Sequence, residues 1–375
     1  MAVTLAAEAV ATIPAAINQT PTITAAQVAV VVSGGNSGLR KQSGMAALIV
    51  IFIVALVMVL VGGLFNIHYL DIRRTSNILE QDQAKMYALA AETYARTILR
   101  EDFAQDKKAN KMVDHEVDNI DEPWGQYAIQ IPIDTNVGIQ GQIDDLMGRF
   151  NINSLVTNKN GASAVNKEAV QQFERLLSSL KDINPDVTAE KFVDWIDVDD
   201  QIYQLKGAEE ETYLLKKPPY RAANSYFNDI SEFWLIDGMD AATYKELKKF
   251  VAILPNSSGM LNVNTAPAEV LMAYIPGLDK QTADKIVDIR KEEGHFADVN
   301  QFLSLAELAG KKDIPKKLFK VNSEYFQATL RAIFNERTTR LISIIHRDAE
   351  EGNTSVLRRD FGKKEDITKE VYVPK

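Results

Sequence analysis

From Met45 to Phe65 the chain carries no charged residue. An apolar run of about 20 residues, rising about 1.5 Å each, spans the hydrocarbon core of a bilayer. A secretory h-region is shorter, roughly 7 to 15 residues, and ends in a small-residue cleavage site. Here the polar boundary, "RKQSG", comes before the run. Downstream, "NIHYLDIRRTSNILEQDQAKMYALAAETYARTILREDF" has neither proline nor glycine, which predicts a helix continuing to about Phe103. Ile67, Leu70, Leu79, Met86, Leu89, Ala90, Tyr94 and Ile98 recur near helical spacing, so one stripe needs a partner. The plainer reading of the run is an ordinary signal anchor. Arg40 and Lys41 sit immediately before it, with almost no other charge upstream. That places the amino end in the cytoplasm and the bulk of the chain in the periplasm, with Arg73 and Arg74 too far past the span to reverse the orientation.

The periodicity then changes twice. Strand-like segments ("QYAIQIPI", "GIQGQIDDL", "GRFNINSLV") fill 105–160, helical patterns fill 161–318, and strands return over 319–348 as "YFQATLRAIF" and "TTRLISIIHRD". "NER" between the last two suits an antiparallel hairpin. The pattern predicts an α+β protein: a long helix over 45–104, then an antiparallel sheet interrupted by a large α-helical insertion. Residues 349–375 read as a polar, mobile tail in which "EVYVPK" is suited to an edge strand. Residues 1–44 are rich in Ala, Val and Thr and read as a dispensable leader.

Composition narrows the functions. The 375 residues carry a net charge of −9, which on average repels a phosphate backbone. Without cysteine there is no disulfide, thiolate metal site or thiol nucleophile. His68, His115, His295 and His346 are far apart in sequence, which disfavours a histidine metal cluster. No GxSxG, phosphate loop or HExxH occurs.

Two stretches concentrate chemistry. "VDWIDVDDQIYQLKGAEEETY" gathers Asp194, Asp197, Asp199 and Asp200, then Glu209, Glu210 and Glu211. Such carboxylates need water or a hard cation; calcium takes six to eight oxygen ligands. The spacing is not that of an EF-hand, and a solvated acidic loop competes with the cation reading. "LNVNTAPAEVLMAYIPGLDKQTADKIVDIRKEEGHF" has helix-hairpin-helix form, with Thr265 as the cap before Pro267. In nucleic-acid-binding versions a glycine lets backbone N–H groups approach phosphate; here Asp279 stands there, so a packing module is expected and no nucleic acid. "KKPPYRAANSYF" is a proline-stiffened loop bringing Arg221, read as structural, and Asn224, suited to a cation site. Asp144 and Asp145, beside Arg149, do not make a carboxylate pair, because adjacent strand residues face opposite ways.

Taken in order, "RKQSGMAALIVIFIV", "EPWGQYAIQIP", "GQIDDLMGRFNINSL", "DWIDVDDQ", "GAEEETYLLKKPPYRAANSYFNDISE", "IDGMDAATYKELKKFVAILP" and "LNVNTAPAEVL" resemble the K-type minor pseudopilins of type II secretion systems. The resemblance implies a pilin-like domain interrupted by an α-helical, SAM- or helix-hairpin-helix-like insertion. It implies cleavage by a prepilin peptidase between Gly44 and Met45, with methylation of Met45, and an inner-membrane span over Met45–Phe65. It also implies no enzymatic activity, and assembly with I- and J-type minor pseudopilins, then the H-type and the major G-type, at the tip of a pseudopilus exporting folded proteins. It further implies calcium, carried here onto Asp197, Asp199, Glu209 and Asn224, with Asp200 and Glu210 as substitutes.

Most pilin-like proteins carry glutamate at the fifth mature position, where this chain has Ile49. A carboxylate in that helix is costly in a bilayer unless paired, and a subunit with no neighbour above it has no ammonium to pair with. Ile49 thus marks a tip position. The leader is longer than is usual in the family, and initiation near Val30 to Val32 is expected. The rival readings are a membrane-anchored DNA-uptake receptor using the helix-hairpin-helix-like segment and a hydrolase using the acidic cluster; the latter lacks a nucleophile or base.

Overall fold

The computed structural model describes residues 43–109, 116–159 and 162–371. The expected leader, apart from its last two residues, lies outside them. Residues to Asp82 form one unit and those from Gln83 a second. In the first, helix α1 (Ser43–Ala109) begins, with the Gly44–Met45 bond in its opening turn. From Met45 it is long and apolar enough to cross a membrane, and its side chains there are exposed, Ile49 by 53%.

In the second unit the sheet-facing stripe of α1 is not the one the large apolar residues suggest. Ala84, Ala88, Ala91, Ala95, Leu99 and Phe103 are buried, whereas Met86 is 61% exposed. Leu89, Ala90, Tyr94 and Ile98 flank the contact, half-buried, and Ile67, Leu70 and Leu79 are exposed in the first unit. Four alanines let the helix axis approach the sheet closely, so small residues, not bulky ones, mark its inner face.

The sheet runs in the order β1 (Ile129–Asp134), β2 (Val137–Asp145), β3 (Tyr325–Phe334), β4 (Arg337–Arg347) and β5 (Thr354–Asp360), each antiparallel to the next. Ile143, Ala328, Leu330, Leu341 and Ile345 pack with the helix alanines, leaving Gln142, Asp144, Gln327 and Thr329 on the opposite face. Asp144 pairs with Lys369 at 3.3 Å, while Asp145 is buried and accepts from Asn262, Thr265 and Ser323. The two acids do face apart.

Strand β5 corrects the tail reading. Its few apolar residues concealed it: Arg359 bonds Glu92 of α1 through two 2.8 Å contacts, and Arg96 bonds the Thr354 carbonyl at 2.6 Å. Beyond it Val371 bridges Ala128; the last four residues of "EVYVPK", from Tyr372, lie outside the described residues.

The insertion occupies 146–324, wider than the helical pattern suggests. "GRFNINSLV" does not join the main sheet. Phe150–Asn151 pairs with Val251–Ala252, and Val156–Lys159 forms a hairpin with Ala162–Val165. Phe319–Lys320 likewise pairs with Leu261–Asn262 inside the insertion. Its helices include α2 (Lys167–Ser179), α3 (Ala189–Ile196), α4 (Ala268–Tyr274) and α5 (Lys280–Glu293). They enclose an aromatic core in which Phe173 stacks on Phe150 and meets Phe192 edge-on, and Phe192 meets Phe233 edge-on.

Candidate metal centre

Helix α3 forms because Ala189, Phe192, Val193 and Ile196 share one face and are buried. The same turn places Asp194 and the C-cap Asp197 over the loop that follows. Asp194 Oδ1 accepts from the Tyr203 amide at 2.8 Å, while its Oδ2 has no partner. Asp197 Oδ1, both oxygens of Glu209 and Asn224 Oδ1 are likewise buried and without a donor. Asn224 adopts φ +43°, and its amide nitrogen reaches Asp200 at 3.3 Å. At Gly207 a Cβ would fall on Asp194 Oδ2, so the loop can close over the carboxylates only without a side chain there.

Burial, added to by neighbouring acids, pushes Asp194 up to about 6, Asp197 to about 7 and Glu209 to about 8. Orphaned oxygen acceptors from three carboxylates and one amide are of the kind a hard cation takes.

Of the residues carried over from the family resemblance, Asp197, Glu209 and Asn224 contribute to this set. Asp199 is exposed and accepts from the Gln201 amide; Asp200 is exposed; Glu210 faces Arg221 at 3.4 Å. Asp194, named in the acidic stretch but not among the carried-over residues, joins the set; it lies three residues before Asp197 and so on the same face of α3.

A second acid group contrasts with this one. Oxygens of Asp102, Asp118 and Glu122 lie within 4.8 Å of one another, but they are engaged: Arg347 bonds Asp118 at 2.6 Å and Asp102 at 3.3 Å, and also Glu116. Trp124 Nε1 and the Asn119 side chain donate to Glu122. Burial pushes Asp118 up to about 6, and burial with the Asp118 charge pushes Asp102 to about 7 and Glu116 to about 9. Burial together with Asp102 pushes Glu122 to about 10. This group ties the end of α1 to the sheet.

The hairpin helices α4 and α5 show protein-scaffold chemistry. Asp279 caps α5 by accepting from the Thr282 amide at 2.9 Å. Lys280 is held by Glu269 and Asp284, and Arg290 is buried against the Val263 and Ala266 carbonyls. Pro267, not Thr265, stands at the N-cap of α4. Thr265 is drawn off by Asp145, a stronger, charged acceptor.

A helix long and apolar enough in its first part to cross a membrane, packed by its second part on an antiparallel meander, defines a pilin-like protein. Family models described as "Type II secretion system (T2SS), protein K" match residues 148–256 and 261–322. The type II secretion system protein K of Pseudomonas aeruginosa is 34% identical over 325 residues, covering 86% of this chain and 94% of that protein. That of Klebsiella pneumoniae is 30% identical, covering 86% and 97%. The crystal structure of the GspK-GspI-GspJ complex from enterotoxigenic Escherichia coli contains a chain that matches with TM-score 0.62 and 27% identity, covering 78% of this chain and 100% of that one. The chain belongs to the protein K family of type II secretion systems.

Proposed function

We propose that this chain is a minor pseudopilin that caps the pseudopilus tip and helps initiate its assembly for the export of folded proteins. In this reading a prepilin peptidase cuts between Gly44 and Met45, Met45 is methylated, and the globular part faces the periplasm from an inner-membrane anchor. The protein acts without catalysis, through contacts with I- and J-type partners and then with the H- and G-type subunits below. The observation that carries the tip position is Ile49: a helix meant for bilayer and filament has no carboxylate where a neighbour's ammonium would need one. Support for the partners comes from the matching chain, solved in a complex with GspI and GspJ.

Calcium would be held by Asp194, Asp197, Glu209 and Asn224, whose orphaned oxygens fit it. The ion supplies positive charge that lets the loop after α3 close over the three carboxylates. Residues from about 66 onward should co-elute with the I- and J-type partners in size-exclusion chromatography; separate elution of all three would refute the assembly role. Gly44→Ala should leave the precursor uncleaved, seen as an unshifted band on a gel beside the shorter wild-type product. Normal processing of the variant would remove the cleavage assignment.

A further inference from the structure

Chain connectivity attaches the insertion to the sheet at one corner. It leaves after Asp145 and returns at Tyr325, where the Leu146 amide donates to the Tyr325 carbonyl at 3.0 Å. The contacts around this corner include a small apolar cluster with Leu146, Met147, Leu254 and Ile344 and the bonds from Asn262, Thr265 and Ser323 to Asp145. They also include the Asp118 stretch, whose amide donates to the Val321 carbonyl and whose neighbour Val117 enters the insertion's core. A body held at one corner can pivot about it.

A second attachment lies two strands further across, on the far side of β4, about 10 Å from β3. Asp229 of the insertion receives Arg358 of β5 at 2.7 Å and Lys363 at 2.6 and 2.5 Å. Arg358 also donates to the neighbouring Asn228 carbonyl. From there the chain crosses the polar face of the sheet. Glu365 accepts from Gln327 at 3.2 Å, the Thr368 amide donates to Gln142 at 2.7 Å, and the Ala128 amide donates to the Glu370 carbonyl at 2.8 Å. These fastenings are polar; of the segment's apolar side chains Leu357 and Phe361 stay 47% and 39% exposed, and Val356 and Ile367 are only half-buried.

We infer that residues 354–371 are a releasable ionic strap, with Asp229 as its buckle, that fixes the angle of the insertion against the sheet. Hydrophobic burial would make such a fastening permanent; partly exposed ion pairs hold it while remaining open to competition from salt or from a charged partner surface. Strand β5 itself stays on α1 through Arg359 and Glu92, so release frees the insertion from the strap without unfolding the sheet.

Because the chain has no cysteine, spin labels at Lys245→Cys in the insertion and Thr338→Cys on β4, both exposed, can report the angle in the full chain in detergent. Asp229→Asn removes the charge while keeping a good helix N-cap. At about 50 mM salt the wild type should give one narrow distance distribution. Asp229→Asn, and wild type at about 0.5 M salt, should give a broad one, with trypsin cleavage after Lys363 about tenfold faster. Should Asp229→Asn unfold the insertion, Arg358→Gln with Lys363→Gln is the replacement, judged by the distance distribution alone, since it lacks the Lys363 cleavage site. Distances and cleavage rates unchanged in a folded variant overturn the strap.

Discussion

Millimolar calcium at pH 8 is expected to raise the melting temperature by about 5–10 °C, and a chelator to reverse it. A ligand present at 100 times its Kd adds about 2.7 kcal/mol of stability, and each kcal/mol moves a unit of this size by about 2–4 °C. Asp197→Asn and Glu209→Gln should abolish the shift. Without calcium they should leave the protein as stable as the wild type or more so, because a buried, unpartnered charge has gone. Removing a structural salt bridge would have the opposite sign. The folded-state values near 7 for Asp197 and 8 for Glu209 lie above those of an unfolded chain. Their contribution to the calcium-free protein is therefore complete below about pH 4 and lost as pH rises through 7 and 8. Calcium should stabilise most at pH 8 and least at pH 5, where protons already occupy the carboxylates. A melting temperature indifferent to millimolar calcium at pH 8 would return this stretch to a solvated acidic loop.

Arg347→Met should cost about 3–5 kcal/mol at pH 8, measured by urea unfolding. The guanidinium is 1% exposed. Besides the carboxylates it bonds the Leu99 and Ser323 carbonyls at 3.1 Å each and lies 4.8 Å from the centre of the Phe326 ring. Its removal leaves Asp102, Glu116 and Asp118 facing one another without a cation. Arg347→Lys should rescue little, since a point charge cannot reproduce five donors in a planar fork. The pH dependence follows from raised carboxyl values, about 7 for Asp102, 9 for Glu116 and 10 for Glu122. Stability from these groups is present in full below the unfolded values near 4 and declines as pH rises through 7 to 10. Wild type should therefore be more stable at pH 6 than at pH 9, and the loss in Arg347→Met smaller at pH 5 than at pH 8. An equal loss at both values would mean that the group is fully ionised in the fold.

Local pattern made much of the architecture legible. The uncharged run from Met45, the hairpin of β3 and β4, and the helical stretch between two sets of strands all follow from apolar spacing and turn residues. The region of the proposed cation site was legible too, because seven acids crowd into Asp194–Glu211. Its membership was not. Asp199 and Asp194 differ little as letters, yet one is exposed and the other completely buried, with an oxygen left bare.

Strand β5 and the Arg347 group lay beyond the reach of pattern, because both are polar and their partners are distant in the chain. Arg359 meets Glu92 and Arg347 meets Asp102 across more than 240 residues. Thr265 shows the same at one atom: a serviceable cap by its neighbours in sequence, it turns instead to Asp145, 120 residues away. Periodicity records what each segment needs to bury, and so the residues alone specify the long apolar helix, most of the elements and the family. Which polar atoms lose water, and which of those find a partner, depends on surfaces brought together from far apart; the three-dimensional packing decided the set of orphaned oxygens, the buried cation and the strap.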